Sequence, residues 1–442
     1  MSDSHPENPV GASTGSTVDI PVDIAIIGAG AAGLFAAIWA AREGPTLKIV
    51  AVDGARTLGA KILVAGGGRC NVTHHAVNEQ DYSGGSPQLI RRILRRFPVE
   101  STIEFFSQCG VELKREETGK LFPTTDRARS VLDALVTAAQ SAGVKILHPR
   151  RVESIVPVES GFKINFADES ILARMVILCT GGMSLPKSGS DGHGFTLVRN
   201  LGHSLTPLIV PALVPLTLPS DHWLTALSGL ALPAELTAIR ADGTLARDAA
   251  GKSIPAVSGA VLCAHFGLTG PAVLDVSRHW LHLLNADPGA RLRINWLPGV
   301  RTESLEDELV ATKGQSLLAF LRGRLPERFL RAVCAHAGVD PASGVQQLIR
   351  ERRSALVRSL TACEVVPTAT RGFTAAETTA GGVPLAELNI DRLESLKCPG
   401  LFLCGEMLDV DGRIGGFSFQ WAWASGFVAG TAAAHAMNAI KA

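Results

Sequence analysis

A short apolar run, Val22 to Ile27, gives way to glycines at 28, 30 and 33, after which no charge interrupts the chain until Arg42. This pattern predicts a buried strand, a sharp turn and a helix. A second strand is predicted over KIVAVD, closing on Asp53. Leu58 to His75, LGAKILVAGGGRCNVTHH, lacks a period and reads as a long glycine-rich loop. Helical spacing recurs near 87–96, 99–109 and 127–142, with strand-like runs at 144–148, 151–158, 161–166 and 171–179. The last of these delivers Thr180, Gly181 and Gly182 to its C-terminal end.

From about Pro207 the texture becomes proline-punctuated and extended, predicting short strands to about 300, and residues 302–358 then carry apolar positions at helical spacing. At 401–404 a strand returns, and a glycine-rich turn leads into a final helix. The economical reading is an α/β chain. A Rossmann-like domain is split into 19–206 and 366–442, interrupted by a β-rich insert at 207–300 and a helical subdomain at 301–365. Residues 1–18, rich in Ser, Thr, Gly, Pro and Asn, are expected to be disordered.

Composition narrows the function classes. The 442 residues are 46% hydrophobic with a formal net charge of +1, which provides cores but no whole-molecule field to attract nucleic acid or an anionic membrane. The expected partner is therefore a small molecule. The densest basic run, Arg91 to Phe97, has helical spacing and reads as a solvated face. Eight scattered cysteines, without a CxxC pair or metal-ligand spacing, suit a reducing cytoplasm and leave no dithiol relay and no metal site. Cys179 and Cys404 read as small core residues. Ile24 to Ala41 meets the crude length of a membrane span, yet the glycine fingerprint accounts for it better, and residues 1–21 lack the pattern of a signal peptide.

The opening motif points to a dinucleotide. Gly28 permits the turn, Gly30 lets backbone amides approach a pyrophosphate, and Gly33 allows the helix to lie close to the sheet. Ala29, Ala31 and Ala32 complete that bend, where free amides and the helix dipole favour negative charge. Asp53, twenty residues beyond Gly33, is placed to accept hydrogen bonds from ribose hydroxyls. Three further features favour FAD over NAD. The glycine-rich segment Gly66, Gly67, Gly68, Arg69, Cys70 and Asn71, with Lys61, can follow the pyrophosphate toward a second, larger ring. Gly405 and Glu406 close a strand near the ribityl chain. The helix beginning near Gly415, Gly416 and Phe417 can turn its amides to the flavin edge. Thr180 and Gly181 join the crevice from the neighbouring strand. No second GxGxxG follows a strand, so a nicotinamide reductant, NAD(P)H, would visit transiently.

The combination of GAGAAG, AGGGRCNVTH (65–74), GKLFPTTDRARSVLDAL (119–135), CTGGMSLPKSGSDGHGF (179–195), AHFGLTGP (264–271), TTAGGV (378–383) and CGEMLDVDGRIGGFSFQWAWASG (404–426) resembles one bacterial flavoprotein family. Its members are NAD(P)/FAD-dependent, aminoacetone oxidase-like oxidoreductases, among them bile-acid 3-dehydro-Δ4,6-reductases. The resemblance runs in order over nearly the whole chain. It implies noncovalent FAD in a split domain, an inserted β-barrel-like domain, a helical subdomain, and reduction of an activated, enone-type double bond. An amine or aminoketone oxidase is the nearest alternative; a tRNA-modifying or RNA-binding flavoprotein is an alternative of another class, disfavoured by the neutral charge. Leu185 and Phe417 replace a common tyrosine of the family, His193 an aspartate, Ile414 a threonine and Ser418 an asparagine. Family substrates are therefore not carried over.

Tyr82 is the only tyrosine, so the acid of an ene-reduction is sought elsewhere. Arg69 and Lys61 are candidates for stabilising charge, although holding the cofactor is the favoured role for each. His265 is either a proton donor or a cap before a helix. His193 and Arg413 are weaker options. Asp409 and Asp411 shape a turn or contact flavin hydroxyls, with the turn favoured. Cys70 is expected to be chosen for fit, and His74 and His75 do not match a flavin-attachment spacing.

Overall fold

The computed structural model describes residues 20–247, 251 and 253–441, and the expected disorder of 1–18 lies outside them. The parallel part of a nine-stranded sheet, extended by antiparallel strands at 154–158, 161–165, 388–389 and 394–395, forms the first core. Its strands are β1 (Ile20–Ile27), β2 (Ile49–Val52), β3 (Lys145–Leu147), β4 (Ser170–Leu178) and β5 (Leu401–Leu403), in the spatial order β3-β2-β1-β4-β5. Registers such as Ile27↔Val52 and Ile27↔Leu178 bring the C-terminal ends of β1, β2 and β4 level. The order reverses direction between β1 and β4, which opens a crevice at those ends. Helix α1 (Ala31–Glu43) covers the sheet and buries Leu34, Phe35 and Ile38. Gly33 makes that approach possible, because a β-carbon there would stand 1.7 Å from the Gly28 carbonyl oxygen.

The insert is built on a seven-stranded sheet whose ladders are antiparallel, running from Cys363–Val365 through Arg291–Asn295 and Ala231–Ile239 to Ala369–Thr370. Helix α2 (Pro271–Ala286) lies within a stretch expected to be only strands. Proline at its first turn and buried residues at 273, 276, 280 and 283 explain it, since that spacing places one apolar stripe against the sheet. The helices Thr302–Ala311, Glu327–His336 and Arg350–Thr361 follow. Their Leu305, Phe329 and Leu356 share one buried cluster with Leu236 and Leu292 of the sheet. Trp296 and Phe329 meet with ring centroids 5.0 Å apart. The two chain segments crossing between the cores, Val210–Ala212 and Thr378–Ala380, pair with each other as an antiparallel ladder.

The chain returns to the first core through β5 and the 25-residue helix α3 (Phe417–Lys441), which packs along α1. A β-carbon on Gly430 would stand 2.3 Å from the Ala36 carbonyl oxygen, so the two helices touch backbone to backbone. The predicted long loop, residues 58–75, is itself more ordered than expected. Ala60–Gly68 is a helix broken at Ala65, Gly66 and Gly67, whose backbones leave the helical region. Among the described residues, no helix is long and apolar enough to cross a membrane.

Candidate active site

One cavity of about 590 Å³ opens at the crevice between β1 and β4 and extends to the insert. Gly28, Gly30, Ala31 and Ala32 form its first wall. Gly28 has φ +100, and an added β-carbon would meet the Cys179 carbonyl oxygen at 2.5 Å, so only glycine makes this turn. Gly30 caps α1 without any side-chain hydrogen bond, and space beyond its α-carbon is open. The free amides of α1 thus face the cavity, as an anion site requires.

Asp53 also lines it, with both carboxylate oxygens fixed: the Ala29 N–H donates to Oδ2 at 2.7 Å and the Ala55 N–H to Oδ1 at 2.8 Å. Ala29 thus serves the site through its amide. Lys61 donates to Ser184 Oγ at 2.5 Å and is ion-paired with Glu406, which also accepts from Ser184 Oγ (2.7 Å) and the Thr379 N–H (3.0 Å). Gly66, Gly67, Arg69 and Asn71 line the opposite wall, and Thr180, Gly181, Gly415 and Gly416 complete it. Arg69 is 2.6 Å from Glu116 and stacks 4.0 Å over the Phe122 ring.

Other expected residues stand behind these walls. Gly33, Gly68 and Cys70 do not reach the cavity. Cys70 is fully buried, and burial pushes its thiol up to about 12, so it is a packing residue. Gly405 donates its N–H to Ser425 Oγ at 3.0 Å and accepts from Trp421 Nε1. Phe417 is buried and stacks on His74 with centroids 4.9 Å apart. Asp411 faces the insert, where its Oδ2 lies 3.0 Å from Arg278 Nε. His265 sits exposed in the turn between Val257–Ala264 and Gly267–Thr269, outside the cavity lining. It caps no helix, because α2 is capped by Gly270. Residue type alone had singled it out.

The residues present fit a dinucleotide cofactor. Asn71 Oδ1, Thr180 Oγ1, Ser190 Oγ and Ser418 Oγ are buried without a hydrogen-bond partner, and all four residues line the cavity. Buried polar atoms are rarely left so, and four around one cavity mark a polar ligand. Residues the sequence did not single out join them: Arg150 and Arg151 beside Asp53, Lys120 and Glu377 toward the insert, and the apolar Leu213 and Leu274. Lys120 and Glu377 lay within quoted motifs or at their edge, yet nothing in their spacing marks them as neighbours.

A Rossmann-type sheet, a bare helix N-terminus over its switch point and a second glycine-rich wall define a flavoprotein of the oxidoreductase class. The chain belongs to the HI0933-like Rossmann family, whose model, described as the HI0933-like protein Rossmann domain, matches residues 22–432. It is accordingly an FAD-dependent oxidoreductase. The chain is 33% identical over 415 residues to a 3-dehydro-bile acid delta(4,6)-reductase of Clostridium scindens, covering 93% of this chain and 98% of that one. It is 34% identical over 406 residues to a ribosomal RNA dihydrouridine synthase of Escherichia coli, covering 91% and 96%. Among solved structures, E. coli quinol fumarate reductase FrdA is 18% identical with a TM-score of 0.48, covering 96% of this chain and 71% of that one.

Proposed function

We propose that the protein reduces a carbon–carbon double bond conjugated with a carbonyl, with NAD(P)H as the transient source of electrons. The observation that carries this reading is the continuity of the cavity. It runs from the dinucleotide wall past Lys61 to Leu213, Pro271 and Leu274 at the boundary with the insert, where an apolar ring can lie beside the cofactor wall. Bound FAD supplies hydride transfer there. The protein's own part is to hold the diphosphate at the α1 amides, fix the ribose through Asp53, and place polar groups around the reacting bond. Lys61, held by Glu406 and Ser184, belongs to the cofactor wall. The eight cysteines are all free, which supports a cytoplasmic location.

The names of the two relatives described above both fit saturation of a double bond. A delta(4,6)-reductase acts on ring double bonds of a 3-dehydro bile acid, and a dihydrouridine synthase leaves dihydrouridine, uridine with two added hydrogens. The reacting bond of uracil is itself conjugated with a carbonyl. The 34% relative therefore favours a second reading of the substrate, a uracil ring in ribosomal RNA, with the same chemistry. An overall charge of +1 would leave such an RNA to be held by local contacts.

Anaerobic reduction by NADH or NADPH, followed by separate additions of a steroid enone, an amine and unmodified ribosomal RNA, tests these readings. Return of the oxidised spectrum with the enone or the RNA is expected and chooses between the two substrates. Peroxide release from the amine in air, with neither of the others reacting, would establish an oxidase instead.

A further inference from the structure

Four carboxylates and six Lys or Arg side chains line the cavity. Three of the carboxylates are committed: Asp53 accepts two amides, Asp191 pairs with Arg151 at 2.8 Å, and Glu406 holds Lys61. Five cations are committed as well. Lys61 and Arg151 have just been paired, Arg69 binds Glu116, Arg150 binds Asp168 at 2.8 Å, and Arg413 binds Asp81 at 3.0 Å. Glu377 and Lys120 remain. Among the described residues, no side-chain hydrogen bond or ion pair engages either one.

Their backbones are fixed. The Glu377 N–H donates to the Leu213 carbonyl at 3.2 Å, beside the ladder that joins the two cores, and Lys120 pairs with His74 in a small sheet. Glu377 keeps an exposed surface in the cavity although protein surrounds it on its other sides, and Lys120 is half-buried. Burial raises its carboxyl above the ordinary range, while the Lys120 charge, then Lys61, pulls the other way. Two opposite charges that sense each other without touching leave room between them for a polar group of a ligand.

We propose that Lys120 holds the substrate carbonyl oxygen and that Glu377 donates the proton that completes the double-bond reduction. The inference rests on the reaction proposed above. A hydride from the reduced cofactor adds to the β-carbon, the π pair moves to make an enolate, and the Lys120 ammonium stabilises the oxygen. The Glu377 O–H bond then breaks as its proton forms the α C–H bond. The substrate gains two electrons and two hydrogens, the cofactor is oxidised by two electrons, and the carboxylate regains a proton from solvent.

The test uses the FAD-loaded protein, E377Q and K120M. For E377Q, normal FAD content and normal bleaching by dithionite are expected, with reoxidation by 2-cyclohexen-1-one slowed about 100-fold, the scale of general acid catalysis. 4-Chlorophenol, whose anion resembles an enolate, provides a readout that needs no turnover. Its long-wavelength band with oxidised FAD should require about ten times more ligand in K120M, the loss of a charged hydrogen bond of about 1.4 kcal/mol. In wild type, affinity should fall as Glu377 ionises, and E377Q should lack that transition. Lys61, Asp275, Glu406 and Arg413 also lie near, so only a transition that E377Q removes belongs to Glu377. Reoxidation of E377Q within threefold of wild type would overturn the proton-donor role, and unchanged phenol binding in both variants would overturn the pair. If reduced wild type ignores enones but phenol binding depends on both residues, the ligand contact stands and the reaction assigned to it fails.

Discussion

Arg278 on α2 places its Nε 3.0 Å from the Asp411 carboxylate, with the two side chains only 13% and 3% exposed. The contact joins the insert to the strand Val410–Gly412 just ahead of α3. Close by, the Ile414 N–H donates to Asp275 Oδ1 at 2.6 Å. Helix α2 thus grips the segment that supplies Arg413 to Gly416 to the cavity.

Burial pushes the Asp411 carboxyl up from 3.8 to about 7, against the pull of Arg278. The folded state therefore holds this proton more tightly than the unfolded chain. The stability it contributes is complete below pH 3.8 and is lost as the pH rises toward 7. The melting temperature of wild type should fall relative to D411N between those limits, and equal slopes for the two proteins would contradict the assignment. R278M removes the charge that opposes this rise, so in that variant the fall in melting temperature should move above pH 7.

Asp53 orders the turn as well as facing the cavity. D53A leaves the Ala29 and Ala55 amides without acceptors and removes an acceptor from the cofactor wall. FAD affinity should drop about 10- to 100-fold, matching one or two lost hydrogen bonds, in a fluorescence titration. Unchanged affinity would show that the carboxylate serves the turn alone.

Gly430 has no room for a methyl group, since a β-carbon would press within 2.3 Å of the Ala36 carbonyl oxygen. G430A should force α1 and α3 apart and cost about 1–3 kcal/mol in unfolding free energy. A variant as stable as wild type would mean that the helices are not in backbone contact.

Ser395, His203 and Glu387 reproduce the spacing of a hydrolytic triad, with His203 Nε2 2.7 Å from Ser395 Oγ and Nδ1 2.7 Å from Glu387 Oε2. The serine oxygen, however, accepts the Lys397 and Cys398 amides at 3.0 and 2.8 Å, and both Ser395 and His203 are buried. The arrangement fastens an edge of the first sheet. A fluorophosphonate probe should leave Ser395 unlabelled, and S395A should lower stability by about 1–3 kcal/mol without altering FAD content. Labelling of Ser395 would refute this structural role.

The parts of the molecule that were legible in the sequence are those whose signal is local. β1, the turn at Gly28 and α1 are specified by consecutive residues, and the expected strand at 171–179 differs from β4 by one residue at each end. Helix α2 was hidden because strands flank it and its apolar stripe becomes meaningful only against the insert sheet. His265 and Asp411 were chosen by residue type, but solvent access and a partner far along the chain decide their roles. Lys120 and Glu377 required more still. What distinguishes them is that every other charged neighbour is occupied, a property of three-dimensional pairing that no linear spacing encodes.

The packing of α1 against α3 also fixes a timetable for synthesis. The insert has its sheet and helices in hand once residue 370 has left the ribosome, so its core can close on its own. β1 and α1 are translated earlier, yet the strand bordering β4 and the helix covering α1 arrive only with Leu401–Lys441. Ile24 to Ala41 therefore finds β2 and β4 early, but the face of α1 that packs on α3 stays uncovered until those residues follow. A nascent chain stalled just short of β5 would expose that apolar face, and it would also lack Gly415 and Gly416, which complete the cofactor wall.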